Sequence, residues 1–236
     1  MRRLVYISAM NSTEQARRFA AELRRIIEKL VVVDAPADEL ALAADAAKGF
    51  ADRLEEEFPK RRSWYEVAET AVADMVVDGS TESRAERGFF DRSPIVGLSN
   101  PLAPPLSLEI AEADGQRFVI GRASYTAAYE GPPGNVHGGM VAAAWDEVLG
   151  MAQSLSGQAG FTGTLTIRYR SPTPLFENLE FRAQVDRVEG RKIFTSGTCH
   201  AGDRLTSEAE AIFITVDRAK FEQLMREREA REKATG

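Results

Sequence analysis

Apolar residues recur every three or four positions in the first third of the chain and every second position in much of its second half, which separates a helical region from a strand-forming one. Asn11-Ser12-Thr13-Glu14 reads as a helix cap, followed by Ala16, Phe19, Ala20, Leu23, Ile26, Ile27 and Leu30 on one face. Val31-Val32-Val33 ends this helix and Asp34-Ala35-Pro36-Ala37-Asp38 breaks the chain. A second amphipathic segment runs from about Asp38 to Phe58, closed by Pro59-Lys60-Arg61-Arg62-Ser63, and a third, shorter one covers Trp64 to Val77 before Asp78-Gly79-Ser80. Residues 1–88 thus form a helical N-terminal extension. It carries no recognisable chemistry, and reads either as a regulatory or partner-binding module or as an extension packing on the domain behind it or on a second subunit. Residues 89–106, with Pro94, Pro101, Pro104 and Pro105, form an irregular connector that Phe89 and Phe90 pin to the surface.

From Leu106 the period changes. Leu108, Ile110 and Ala111 begin a strand, Asp114-Gly115 turns it, and Phe118 to Tyr129 reads as a long second strand. After a central helix from Gly138 to about Leu155, Phe161, Gly163, Leu165, Ile167 and Tyr169 alternate with Thr162, Thr164, Thr166, Arg168 and Arg170, which puts the two sets on opposite faces of a strand. Pro172 and Pro174 stop it. Leu179–Val188, Ile193–Cys199 and Leu205–Val216 are further strands, joined by turns at Glu189-Gly190 and Gly202-Asp203, and Arg218 to Lys233 is a charged helical tail. Two strands, one helix and four strands form an α+β domain over 107–217, with the tail over 218–236. Its simplest arrangement is a curved antiparallel sheet wrapped around the helix.

That helix is the unusual element. Gly131-Pro132-Pro133-Gly134-Asn135-Val136-His137-Gly138-Gly139 leads into a segment in which Met140, Val141, Ala142, Ala143, Ala144, Trp145, Val148, Leu149, Met151, Ala152 and Leu155 cannot all lie on one stripe. Such a helix is expected to be enclosed. Asp146 stands in its middle, and because a buried carboxylate is costly unless paired or used, it is the first functional candidate.

Composition narrows the classes. A net charge of −6 argues against non-specific nucleic-acid binding. A single cysteine, Cys199, leaves no intrachain disulfide and fits a reducing compartment. No run reaches the ~20 apolar residues of a membrane span. The basic-then-apolar start, Met1 to Met10, is too short for a signal peptide, so a cytoplasmic location is expected. With His137, His200 and one cysteine, no metal site of familiar spacing is present. A Ser-His-Asp triad lacks its Gly-x-Ser-x-Gly elbow, since Ser154 and Ser156 lie at the helix end without a preceding strand.

A helix opened by His-Gly-Gly, with an Asp nine residues after the His and strands in this order, resembles the hotdog-fold acyl-CoA thioesterases. Within them it is similar to the phenylacetate-pathway type and, more closely, to the human thioesterase superfamily acyl-CoA hydrolases. Glu130-Gly131-Pro132-Pro133-Gly134 before Val136-His137-Gly138-Gly139, then Asp146, Thr162 and Val188-Glu189-Gly190-Arg191-Lys192 carry the likeness, which spans roughly Ser107 to Val216. The resemblance implies a hotdog fold, thioester hydrolysis without metal or other cofactor (coenzyme A arriving as part of the substrate), and a homodimer, with a dimer of dimers left open. It gives Thr162 a place beside the acid. Some members carry a substrate-contacting Asn six residues before the His; here that place is Gly131.

Gly138 stands at the helix start, where unpaired N–H groups and the helix dipole can stabilise an oxyanion, and Gly139 keeps the backbone approachable. Asp146 lies eight residues on, about 12 Å along the axis. One helix cannot bring both to the same carbonyl, whereas two antiparallel helices of a symmetric pair can. Asp146 would act as general base or as nucleophile. His137 fixes the loop and donates to the carbonyl, with Asn135 supporting it; Arg168, Arg170, Arg191 and Lys192 are the candidates for the coenzyme A phosphates. The rival readings are a non-catalytic acyl-CoA sensor and a hotdog enoyl-CoA hydratase.

Overall fold

The computed structural model describes residues 11–58, 90–104, 106–158 and 160–215, with Gln223, Glu227 and Arg231 as single positions. The third helix expected over Trp64–Val77, Phe89 and Pro105 of the connector, and nearly all of the charged tail lie outside the described residues.

Helix α1 (Ser12–Leu30) begins at Asn11, whose side chain accepts from Glu14 N–H while the Glu14 carboxylate accepts from Asn11 N–H. This reciprocal capping box satisfies two otherwise unpaired donors and fixes the start that the sequence marks. Helix α2 (Ala37–Glu57) follows. The two touch edge-on through Phe19 and Phe50, at 5.2 Å between ring centres. Neither is held by apolar burial. Ala20 is the one buried side chain of α1, and α2 has none. Polar contacts anchor α1 to the connector: Arg17 pairs with Asp91 at 2.7 Å, and Arg24 donates to the Leu98 and Asn100 carbonyls. Phe90–Arg92 forms a short 3₁₀ turn in that connector, with Phe90 buried.

The domain proper is one antiparallel sheet with one helix on it. Its strands are β1 (Ser107–Ala113), β2 (Gln116–Ala123), β3 (Gly160–Tyr169), β4 (Leu179–Glu189), β5 (Lys192–Ala201) and β6 (Arg204–Thr215), in the spatial order β1-β2-β4-β5-β6-β3. Helix α3 (Gly138–Ser154) connects β2 to the far edge and lies across β2 to β6. This is the hotdog arrangement, with the sheet open at β1 and β3. Strand β2 is shorter than its apolar pattern suggests. It stops at Ala123, where β4 begins opposite it at Leu179 and β1 has begun at Ser107 opposite Arg122, so no ladder partner remains. The rest of the expected strand becomes a 3₁₀ turn at Ala127–Tyr129.

Two expectations about the centre are corrected, the burial of Asp146 and the unbroken alternation of β3. The sheet covers α3 on one side only. Val141, Ala144, Trp145, Val148, Leu149 and Ala152 are buried, whereas Gly139 and Asp146 are exposed and Met140, Ala142, Ala143 and Gly150 half-buried. Asp146 is therefore a carboxylate on the helix's open flank and not a buried one. The alternation along β3 is also broken. A bulge between Thr162 and Thr164 leaves Gly163 without a partner on β6 and pairs Thr162 with the buried Phe213. The extra residue turns Thr162 to the helix side, the side of Leu165, Ile167 and Tyr169, and away from Thr164, Thr166 and Arg168.

The core centres on Trp145, which is fully buried, meets Phe181 edge-on at 5.0 Å and donates from Nε1 to Ser207 Oγ at 3.0 Å. Burial of such a side chain contributes roughly 1.5–3 kcal/mol, and the hydrogen bond prevents the indole N–H from cancelling part of it. The sheet must come very close to accommodate the ring. A Cβ on Gly197 would lie 2.5 Å from the Arg182 carbonyl oxygen and 2.8 Å from Trp145.

Gly197→Ala is therefore expected to lower stability by about 1–3 kcal/mol through overpacking, read as a lower midpoint in urea at unchanged slope. Burial also pushes the Cys199 thiol from 9.0 up to about 11. Between these values the unfolded chain releases the proton and the folded chain keeps it, so stability falls as pH rises through that window. Urea midpoints measured from neutral pH to pH ~11 are expected to decline less steeply for Cys199→Ala than for the native protein.

Candidate active site

The loop entering α3 is closed on itself by its backbone and by the Glu130 carboxylate. Gly134 N–H donates to Glu130 Oε1 at 2.6 Å, Gly131 N–H to the Asn135 carbonyl at 2.9 Å, and Asn135 N–H to the Pro132 carbonyl at 2.9 Å. The Asn135 amide is spent on the Pro133 carbonyl at 2.8 Å, so this side chain shapes the loop. The loop is then sewn to its neighbours by Val136 N–H on the Thr173 carbonyl, Leu175 N–H on the Gly134 carbonyl and His137 N–H on the Tyr129 carbonyl. Gly131 is required by closeness, because a Cβ there would sit 2.7 Å from His137 Cα. An asparagine at this position is incompatible with this loop path.

His137 caps α3. Its Nδ1 accepts from Gly139 N–H at 3.0 Å. A backbone N–H can only donate, so Nδ1 bears no proton, and the neutral imidazole carries its hydrogen on Nε2, available as an outward donor on an exposed residue. The four leading N–H groups of the helix can then be followed one by one. Met140 and Val141 donate to the His137 carbonyl at 2.9 and 3.3 Å, and Gly139 to Nδ1. Among the described residues no acceptor faces the fourth, Gly138 N–H. The helix thus presents one uncommitted donor at its positive end, next to an imidazole N–H.

Farther along the open flank, Thr162 Oγ1 donates to Asp146 Oδ1 at 2.7 Å. One carboxylate oxygen is thereby oriented and the other is left as an acceptor. The bulge at Gly163 makes this pair possible, since without it the Thr162 hydroxyl would point to the other face of the sheet.

The cationic candidates are not brought together. Arg168 pairs with Glu210 and Arg170 with Glu208, each at 2.6 Å, on the face of the sheet away from α3. Arg191 donates to the Thr215 carbonyl at 3.0 and 3.2 Å, at the other end of β6, with the exposed Lys192 beside it. Sequence reasoning passed over Tyr169, whose hydroxyl donates to the Gly138 carbonyl at 2.8 Å. Its signal was a tyrosine at an inward position near the end of a strand. Among the described residues no three His, Cys, Asp or Glu side chains gather as metal ligands would.

The thioesterase superfamily family model matches residues 133–208, a span that contains every candidate residue above. Mouse (Mus musculus) acyl-coenzyme A thioesterase THEM4 is 39% identical over 93 residues, which is 39% of this chain and 40% of that protein. Human (Homo sapiens) acyl-coenzyme A thioesterase THEM5 is 34% identical over 82 residues, 35% of this chain and 33% of that one. The matches thus span well under half the length of these curated relatives. A solved crystal structure of a thioesterase superfamily protein is similar over far more: 34% identity and a TM-score of 0.69, covering 84% of this chain and 90% of the other.

The cap at His137 yields a stability prediction separable from any activity. His137→Ala is expected to cost about 1 kcal/mol by urea unfolding, and His137→Asn, whose side-chain oxygen can accept the same Gly139 N–H, to recover most of it.

Proposed function

Since this chain belongs to the thioesterase superfamily, we propose that it is an acyl-CoA thioesterase, converting acyl-CoA and water to the free acid and coenzyme A at a site shared by two copies of the chain. The observation that carries this reading is the division of labour along α3. The uncommitted Gly138 N–H stands at its start, and the Thr162-oriented Asp146 stands on its open flank about 12 Å further on. No single copy can apply both to one carbonyl. A second copy, with its α3 antiparallel and its β3 against the exposed β3 edge, sets the donor of one protomer against the acid of the other. The half-exposed Phe161 at that edge and the half-buried Met140, Ala142 and Ala143 supply apolar surface for such a union.

In this scheme the thioester carbonyl lies against Gly138 N–H and His137 Nε2–H. Asp146 of the other copy takes a proton from a water molecule, and the water oxygen attacks the carbonyl carbon. The oxyanion is held by the two donors, and its collapse breaks the C–S bond, releasing coenzyme A as the thiol once it has taken up a proton. Thr162 keeps the carboxylate turned toward the water. The homologous acyl-coenzyme A thioesterases and the placement of all these residues within the matched region support the substrate class.

Thiol release from short, long and aryl acyl-CoAs tests the reaction. Asp146→Asn is expected to lower kcat by two or more orders of magnitude. Gly138→Pro deletes the one donor with little harm to the fold, because proline is favoured at the first helical position and His137, at φ −60° and ψ 130°, already has the backbone that precedes a proline. It is expected to lower kcat about 10²–10³-fold. Mixed and re-equilibrated, the two inactive variants are expected to regain about a quarter of native activity, because half of random dimers are mixed and each mixed dimer has one intact site. Failure to complement would place both groups in one chain and overturn the shared site.

A further inference from the structure

The proposed mechanism leaves Tyr169 unused, although it touches the same helix terminus. Its side chain is half-exposed and stands at the C-terminal end of β3, against the first residue of α3. It makes one hydrogen bond across 31 residues of sequence, from its hydroxyl to the Gly138 carbonyl at 2.8 Å. That carbonyl belongs to the peptide whose N–H, on Gly139, donates to His137 Nδ1 at 3.0 Å. One peptide unit is therefore gripped at both poles, by the tyrosine hydroxyl on its oxygen and by the imidazole on its hydrogen.

The direction of these bonds matters. Each link is a donor pointing the same way: Tyr169 O–H to the Gly138 carbonyl, Gly139 N–H to His137 Nδ1, and His137 Nε2–H outward. Hydrogen bonds in such a chain polarise one another. A proton offered to the peptide oxygen makes its N–H a better donor. A stronger bond into Nδ1 withdraws electron density from the ring and makes Nε2–H a better donor in turn. The same chain excludes the other neutral tautomer, because a proton on Nδ1 would confront Gly139 N–H.

We propose that Tyr169 is a positioning residue for the proposed thioesterase reaction: through the Gly138–Gly139 peptide it strengthens the bond into His137 Nδ1 and so makes the Nε2–H aimed at the thioester oxygen a better donor. The proposal rests on the reading of the site given above. It assigns Tyr169 no contact with the substrate and no proton transfer. Its effect belongs to the transition state, where charge on the carbonyl oxygen grows, so it bears on kcat more than on KM.

Tyr169→Phe removes the hydroxyl and keeps the ring, and the test reads it in two ways. In steady-state hydrolysis of the best acyl-CoA, kcat is expected to fall about tenfold with KM within about twofold, and His137→Ala/Tyr169→Phe to be no slower than His137→Ala alone, since residues acting as one unit are not additive. In nitrogen-15 spectra of imidazole-labelled protein at alkaline pH, with His200→Gln as background so that one imidazole remains, the native Nδ1 resonance is expected upfield, as for a nitrogen accepting a strong hydrogen bond, and Tyr169→Phe to move it toward the value of a free acceptor nitrogen. A variant with an unchanged Nδ1 resonance overturns the proposal whatever its rate, as do additive losses in the double variant. Should the native protein release no thiol from any acyl-CoA, the thioesterase reading falls, and the nitrogen spectrum still decides whether Tyr169 acts on the imidazole.

Discussion

A single sheet can cover only one side of a single helix, and the arrangement of this domain follows from that. Helix α3 carries more apolar surface than one stripe, and β2 to β6 bury the side bearing Val141, Ala144, Trp145, Val148 and Leu149. Trp145 fixes how close the two layers come: its ring fills the space that a side chain at position 197 would need, and its N–H is satisfied on Ser207. With that depth set, the opposite flank of the helix emerges beside β3, the last strand of an open sheet. Asp146 lies on this flank, where it meets Thr162 and solvent and so remains available for chemistry.

The start of the same helix obeys a second, local constraint. Helix N-termini leave donors to be satisfied, and here a histidine does most of the satisfying. Its carbonyl takes two N–H groups and its Nδ1 a third, so the imidazole that caps the helix is also the one whose outward hydrogen is defined. Structure and proposed chemistry use one bond. A smaller capping residue such as serine would satisfy the helix equally well, but it would present no ring N–H beyond it.

Much of this was legible in the sequence because it is written in local patterns. The capping box of α1, the apolar excess of α3, the hairpin turns and the His-Gly-Gly entry need only a few adjacent residues to be read. What escaped depends on which strand lies opposite which. The bulge at Gly163 shows only in the pairing of β3 with β6, and a strict alternation put Thr162 on the wrong face. The exposure of Asp146 depends on the extent of the sheet and not on the helix sequence that surrounds it. Arg168 and Arg170 looked like free cations until the pairing of β3 with β6 brought Glu210 and Glu208 within reach of them, each diagonally across the ladder. Tyr169 read as one more inward strand residue, and only the meeting of a strand end with a helix start gives its hydroxyl a partner.

The connector ties these parts together through polar contacts. Asp91, buried in its 3₁₀ turn, accepts from Arg17 of α1 and from the Ser99 hydroxyl, so the N-terminal helix is attached through a charge that has little exposure of its own. Pairs of this kind specify a docking position more than they add stability, since much of their attraction offsets desolvation. Two residues beyond Asp91, Ser93 donates to Glu147 of α3 at 3.0 Å. Glu147 adjoins Asp146, and successive residues of an α-helix are turned by about 100°. A contact that holds Glu147 toward the connector therefore keeps Asp146 turned away from it, toward β3 and Thr162. The segment that fastens the extension to the domain thus also helps set the rotation of the helix on which the acid is carried.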